Sequence, residues 1–411
     1  MSRYFYKSGN IIYYIEETGN ELKEQTIKEK CKVYGINYYE AQKEYIKDLN
    51  GLLQYREDFN IWAKEIETEI NYTKYFNHES AVSMVFRRFA TRELNKLKTE
   101  DIIYKEFVFL ENCYNGSLQT FDKDFEDEEI NSFGYDFSGY YPTILSESND
   151  FKFPIQQGKR KKIKKLKYDN LEYGIYKVKI TSDNKDFRKI FAYSKQNLYT
   201  HYCLLFAYKN KDRFNINIEL LSDDKYNCIV WTEDKLVSSK LIFGKWFSFL
   251  KELKIKYPKN KLVKRLSSSL WGSITKFKRE FFEDDEFFEL DVSRVKDSKE
   301  TEYKLIDEKT YKDDTKELGI RTVYEVIKSI NPYDNNLARL KPFFTSYTRN
   351  YMSNLILDEN LLDCLIRTHT DNITLTRPHN FTHLKYYPLP EDKTTGLITW
   401  SNVNRYEKST I

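Results

Sequence analysis

The sequence predicts an α+β fold in which a sheet is interrupted by helical insertions. The first observation behind that reading is a helical stripe near the start. Val82, Val85, Phe86 and Phe89 recur at i, i+3, i+4 and i+7, with Leu94 and Leu97 following. A looser version runs through Tyr39–Ile70 on Ile46, Leu49, Leu53, Ile61, Trp62 and Ile66. The second is a change of period from about Ile103. Strand-like runs follow at Tyr104–Leu110, Tyr173–Ile180, Phe214–Leu221 and Asn227–Trp231, with Phe214, Ile216, Ile218 and Leu220 alternating. The third is the return of helical character at Lys245–Lys256, its break at Pro258 and its resumption at Lys261–Lys278. Lys296–Glu317, charged and poor in large apolar groups, reads as a mobile insertion, and Leu318–Ile330 and Phe343–Leu357 as helices. Leu365–Arg367 and Ile373–Thr376 read as two short strands flanking a tight polar turn.

The 411 residues allow two or three lobes with real cores. Aromatics make up 16% of the chain, with 34 Tyr and 28 Phe, against 13 Gly and 8 Pro, which excludes intrinsic disorder for most of it. No apolar run approaches a membrane span, and the N-terminus MSRYFYKSGNIIYY lacks a signal-peptide core. Five scattered cysteines fit a reduced, intracellular protein. The net charge of +4 is weak, and the charges are unevenly placed, as in the basic run Lys159–Lys167. That run permits a phosphate-bearing partner and equally a solvated loop tip.

Two acidic positions carry the chemistry. In Tyr135-Asp136-Phe137-Ser138-Gly139-Tyr140-Tyr141-Pro142 an aspartate leaves a hydrophobic strand, and in Arg367-Thr368-His369-Thr370-Asp371-Asn372 another sits in the turn of a hairpin. Two carboxylates from separate strand ends, side by side, are what a two-metal phosphoryl-transfer site needs. Taken singly, each is better read as a turn residue.

These segments resemble family B DNA polymerases. YDFSGYYPTIL is similar to motif A (DxxSLYPSI), THTDNI to motif C (DTDS), and Lys264-Arg265-Leu266-Ser267-Ser268-Ser269-Leu270-Trp271-Gly272 to motif B (KxxxNSxYG). Cys113-Tyr114-Asn115-Gly116-Ser117 resembles the YxGG/A element of the protein-primed branch, and Tyr114 lies 22 residues before Asp136. Phe344–Arg349 resembles the helix preceding motif C, Ser80–Phe89 the helix leading into the polymerase domain, and Tyr45–Asp48 a trace of the last exonuclease motif. The motifs stand in the family's order, which weighs more than any one of them.

The resemblance implies a right-hand polymerase palm with an antiparallel sheet, helical fingers and a helical N-terminal region. It divides the chain into an N-terminal exonuclease remnant (1–102), a first palm segment with motif A (103–181), an insertion (182–242), fingers with motif B (243–280), a charged insertion (281–336) and a second palm segment with motif C (337–411). It implies that Asp136 and Asp371 bind Mg²⁺ or Mn²⁺, and that Tyr141 lies under the incoming sugar. Lys264, Ser268 and Trp271 would face the nucleotide, and Tyr114, Gly116 and Arg349 the nucleic acid. The implied partners are primer-template DNA and dNTP, with a protein primer or separate replication subunits, and no membrane. The Lys, Asn, Ile, Tyr and Phe bias is that of an AT-rich genome, such as a virus or mobile element.

Three departures qualify the match. His369 stands where motif C has its first aspartate, and an imidazole does not supply that negative charge. Ser268 and Trp271 replace the Asn and Tyr of motif B, and Gly139 and Tyr140 the Ser and Leu of motif A. No DxE pair precedes the motifs, and the ending RYEKSTI stops where the family's KxY element and thumb would begin, so neither proofreading nor a thumb is expected. The alternative is therefore a catalytically degenerate homologue acting as a nucleic-acid-binding or assembly subunit. A reverse-transcriptase reading, with His369–Asn372 standing for YxDD, leaves YNGS and the Lys264 helix unexplained. A zinc site from His369, His379 and His383 lacks a cysteine nearby, and Pro378 interrupts the helix it would need.

Overall fold

The computed structural model describes residues 3–8, 11–16, 58, 61–70, 86, 93, 96–113, 115–222, 225–295, 301–312, 320–334, 336–384, 391–392 and 394–408. The Tyr45–Asp48 segment, nearly all of Ser80–Phe89, and Tyr114 lie outside them. The chain forms two compact units, one from Met1–Leu97 with Lys245–Asn335 and one from Lys98–Gly244 with Asn336–Ile411.

The second unit is built on an antiparallel sheet. Its strands run in the order Arg405–Lys408, Gly396–Asn402, Glu129–Asp136, Asn372–Leu375, Leu365–His369 and Gln119–Phe121, with Glu391–Asp392 also paired to Glu129–Asp136. Leu365–His369 and Asn372–Leu375 form the expected hairpin, its turn made by Thr370 and Asp371. The turn is tight because Thr370 takes a φ of +63° and Asp371 does not, the pattern of a type II′ hairpin. A β-branched residue rarely adopts that conformation, so the turn holds backbone strain against the pull of the two strands.

A second antiparallel sheet in this unit runs in the order Lys159–Lys161, Cys228–Trp231, Tyr173–Thr181 and Leu198–Thr200, with Asn217–Leu220 also on Tyr173–Thr181. Helix Leu340–Asp358 packs against helices His201–Lys209 and Tyr104–Cys113. It begins at Arg339, whose guanidinium is fully buried against Glu106, itself 1% exposed. Arg339 donates to both Glu106 oxygens at 2.8 Å and to the carbonyls of Glu100 at 2.6 Å, Asp101 at 3.0 Å and Ile155 at 3.4 Å. Burial raises the Glu106 carboxyl above its ordinary value, against the pull of the two Arg339 bonds.

In the first unit, helix Lys261–Ile274 is capped by Asn260, whose side chain accepts from Leu262 N at 3.0 Å and Val263 N at 3.3 Å. The same side chain donates to Trp62 O and Glu65 Oε2, both at 2.8 Å, which fastens residues 61–70 to this cap. A four-stranded sheet follows, ordered Arg279–Glu283, Ile320–Lys328, Tyr303–Lys312 and Val292–Arg294.

Three sequence expectations change here. Tyr104–Cys113 is a helix, not a strand, because Tyr104, Phe107, Leu110 and Cys113 bury one stripe at a spacing of three. Ile320–Lys328 is a strand, not a helix, since its buried, β-branched run is flanked by partners on both sides. Tyr303–Lys312, expected inside a mobile insertion, is its antiparallel partner. No described helix is long and apolar enough to cross a membrane.

Arg339→Met would strand the Glu106 carboxylate and three carbonyls in the interior, so it is expected to cost about 3–5 kcal/mol in urea denaturation. Glu106→Gln keeps the carbonyl acceptors and is expected to lose less, about 1.5–3 kcal/mol.

Candidate functional site

The central strand Glu129–Asp136 ends at Asp136, which registers with Asn372 on one edge and Glu391 on the other. One residue on, the amide of Phe137 donates to the carbonyl of Asp371 at 2.7 Å. That bond places the end of the Asp136 strand beside the Thr370–Asp371 turn. Both aspartates are half-buried.

The turn is held from its other side by the segment after Tyr114. Thr370 N donates to Leu118 O at 2.9 Å, and the Ser117 and Thr370 hydroxyls are 2.7 Å apart. Arg349, only 4% exposed, donates to Asn115 O at 2.6 Å, to Gly116 O and to Ser346 Oγ at 3.0 Å. Its guanidinium is thus spent inside the protein on the 115–116 backbone rather than held out at the surface. Gly116 is exposed, and a Cβ there would meet no atom within 4 Å, so the space over it is open.

After Asp136 the chain turns through Gly139, at φ +68°, into helix Tyr140–Glu147. Tyr140 is buried and donates to Thr348 O at 2.6 Å. Burial first, then Tyr351, Tyr141 and Asp371, pushes its hydroxyl well above the ordinary tyrosine value, so it stays protonated. Tyr141 is half-buried, with its ring edge-on to Phe344 at 4.9 Å. Together with Tyr351 these rings form one aromatic floor, and Asp371 lies near enough to act electrostatically on Tyr140.

His369 registers with Asn372 and Gln119. Burial and then Arg367 lower its imidazole below the ordinary 6.5, while a hydrogen bond with Asn404 opposes them. Arg367, 8% exposed, donates to Thr374 Oγ1 at 3.2 Å, Asn372 Oδ1 at 3.3 Å and Val403 O at 2.6 Å, and lies 4.4 Å from the Trp400 ring centre. The hairpin therefore carries an imidazole biased towards its neutral form and a buried cation.

The other two histidines of the zinc reading face a carboxylate. His379 Nε2 lies 2.9 Å and His383 Nδ1 3.4 Å from Glu359, which also accepts from the amides of Thr382 and His383. Burial raises the Glu359 carboxyl, but these bonds outweigh it and hold it below its ordinary value. Among the described residues no group of three or more His, Cys, Asp or Glu side chains could hold a metal ion.

Lys264, Ser268 and Trp271 belong to the first unit, on helix Lys261–Ile274. Lys264 and Ser268 are exposed and Trp271 is half-buried, while Leu262, Val263, Leu266, Leu270 and Ile274 are buried on the opposite stripe. Of the sequence-derived site residues, then, the fold brings together Asp136, Asp371, Gly116, Arg349 and Tyr141 within one unit. The sequence reading missed Ser117, Thr370, Asn372, Arg367 and Glu391. Their importance comes from long-range register, which no local motif announces.

The architecture has relatives among solved structures. The chain is similar to Phi29 DNA polymerase complexed with primer-template DNA and incoming nucleotide substrates, with a TM-score of 0.59 and 13% identity over 84% of this chain and 57% of that one. The fold is polymerase-like. Phi29 DNA polymerase complexed with single-stranded DNA gives a TM-score of 0.54 at 14% identity, covering 80% of this chain and 52% of that one. The orthorhombic crystal form of Phi29 DNA polymerase gives 0.51 at 13% identity, covering 91% and 63%. The chain thus spans between 52% and 63% of the length of these polymerases. No family model and no curated protein matches the sequence.

The lowered His369 pKa is directly measurable. An NMR titration should place its midpoint below 6.5, and Asn404→Ala, which removes the bond favouring the charged form, should move it lower still. Because the unfolded chain then binds the proton more readily than the fold, this stability is present in full above about pH 6.5 and is lost as pH falls below it.

Proposed function

We propose that this chain is a nucleotidyl transferase of the protein-primed family B DNA polymerase type, extending a primer along a DNA template. The observation that carries the reading is the backbone bond from Phe137 to Asp371, which sets Asp136 beside a strained, two-residue turn in a polymerase-like sheet. Asp136 and Asp371 are the residues that would hold Mg²⁺ or Mn²⁺. The donor set fits, because Mg²⁺ is held by one or two carboxylates and completed by substrate phosphates rather than by an all-protein cage. When bound, the ions would neutralise charge developing on the substrate phosphates.

The chain's own groups have separate tasks in this reading. Tyr141, braced edge-on by Phe344, would block a 2′-hydroxyl by bulk. Lys264, exposed on the first unit, would meet the triphosphate. Gly116, with open space above it, would let a template backbone approach, and Arg349 would keep that backbone turn in place. Ser268 and Trp271 would flank Lys264 on the same helical face.

In a primer-extension assay with Mg²⁺ or Mn²⁺, Asp136→Ala and Asp371→Ala should each reduce incorporation by about 10³-fold or more. Extension that survives both substitutions would sink the proposal. Tyr141→Ala should raise ribonucleotide use relative to deoxynucleotide by about tenfold, read in single-nucleotide incorporation.

A second reading has one specific observation in its favour: the neutral His369, hydrogen-bonded to Asn404, in place of an acidic residue. It makes the chain a nucleic-acid-binding or assembly subunit without turnover. Salt-dependent DNA binding with no incorporation, even in His369→Asp, would favour it, whereas robust extension by the pure chain rules it out.

A further inference from the structure

The basic run Lys159–Lys167 takes no part in the reading above, and its surroundings in the second sheet are organised. Lys159–Lys161 is an edge strand, paired only with Cys228–Val230 among the described residues. Beyond it the chain is held at two points. The fully buried Asn227 accepts from Ile163 N at 2.8 Å and donates to Ile163 O at 2.9 Å, extending the edge with a side chain. At the far end the Tyr168 ring lies parallel on Tyr208, centres 3.7 Å apart.

Between and beside these anchors, Lys162, Lys164, Lys165 and Lys167 are all exposed. Among the described residues none of the four pairs with a carboxylate, whereas Lys161 is bound to Glu172 at 2.7 Å. The nine positions hold seven cations and no acidic residue. Tyr208 remains 41% exposed, leaving an aromatic surface next to the cations.

We infer that this anchored loop is a binding site for single-stranded nucleic acid, separate from the Asp136 and Asp371 site. The four lysines neutralise successive phosphates, and the Tyr208 ring offers a base a surface to stack on. A duplex keeps its base faces covered and would gain only the charge component. Fixing the loop at Ile163 and Tyr168 before binding lowers the ordering cost that a free lysine run would incur.

The test uses the full chain carrying Asp136→Ala, a fluorescein-labelled dT20, no nucleotide and no divalent ion. Anisotropy titrations across salt concentrations give the slope of log affinity against log salt. Combined Lys162→Ala, Lys164→Ala, Lys165→Ala and Lys167→Ala should flatten that slope by about 3 and weaken binding at least tenfold at low salt. Tyr208→Ala, which keeps every cation, should weaken dT20 binding by about tenfold with the slope unchanged. An unchanged slope in the quadruple variant, or tighter binding to a 20-base-pair duplex than to dT20, overturns the inference. Since all four lysines are exposed, a circular dichroism melt should match that of the parent. The assay reads binding alone, so a failure of the extension proposal leaves it untouched.

Discussion

The second unit depends on one buried ion pair. Arg339 is inside the protein with all of its bonding directed at Glu106 and at three backbone carbonyls from the segments before helix Tyr104–Cys113 and after strand Lys152–Pro154. A buried pair of this kind adds little stability over an apolar replacement, but it tolerates only one arrangement of its neighbours. What it fixes is the start of helix Leu340–Asp358. From that helix hang Arg349 on the 115–116 turn, the Thr348 carbonyl that holds Tyr140, and Glu359 gripping the segment after the hairpin. The helix therefore sets the position of three separate walls around the two aspartates.

The aspartates themselves are positioned by backbone more than by packing. Asp136 is fixed by its register with Asn372, and Asp371 by its own carbonyl and by Thr370 on either side of the turn. Backbone bonds are indifferent to side-chain identity. That is a physical reason why the fold can resemble solved polymerases at 13% identity.

The legible part of the sequence was the part with local chemistry. Asp136 at a strand end and Asp371 in a hairpin turn follow from short-range patterns, as does the shared helical face of Lys264, Ser268 and Trp271. Other parts were hidden for identifiable reasons. The aromatic and β-branched content of Tyr104–Leu110 imitates a strand, although its buried positions recur every third residue. Ile320–Lys328 is buried on both faces and so lacks alternation, and Tyr303–Lys312 is too charged to look like its partner. Arg349 was read as facing nucleic acid, and its burial was not visible because its acceptors, Asn115 and Gly116, lie more than two hundred residues away in sequence. Arg367 escaped notice because its acceptors Asn372, Thr374 and Val403 come within reach only once the hairpin has formed, and Asn372 because its register partner Asp136 lies on a strand distant in sequence.

The aromatic floor formed by Tyr140, Tyr141, Phe344 and Tyr351 has an electrostatic consequence. The Tyr140 hydroxyl within it is committed to the Thr348 carbonyl. Asp371, whose charge acts on Tyr140, is itself half-buried. Where the effective dielectric drops from about 80 to about 20, the attraction of a cation at a given distance rises roughly fourfold. The excess of tyrosine and phenylalanine, ordinary as packing material, here acts as an insulator that lengthens the reach of a single negative charge.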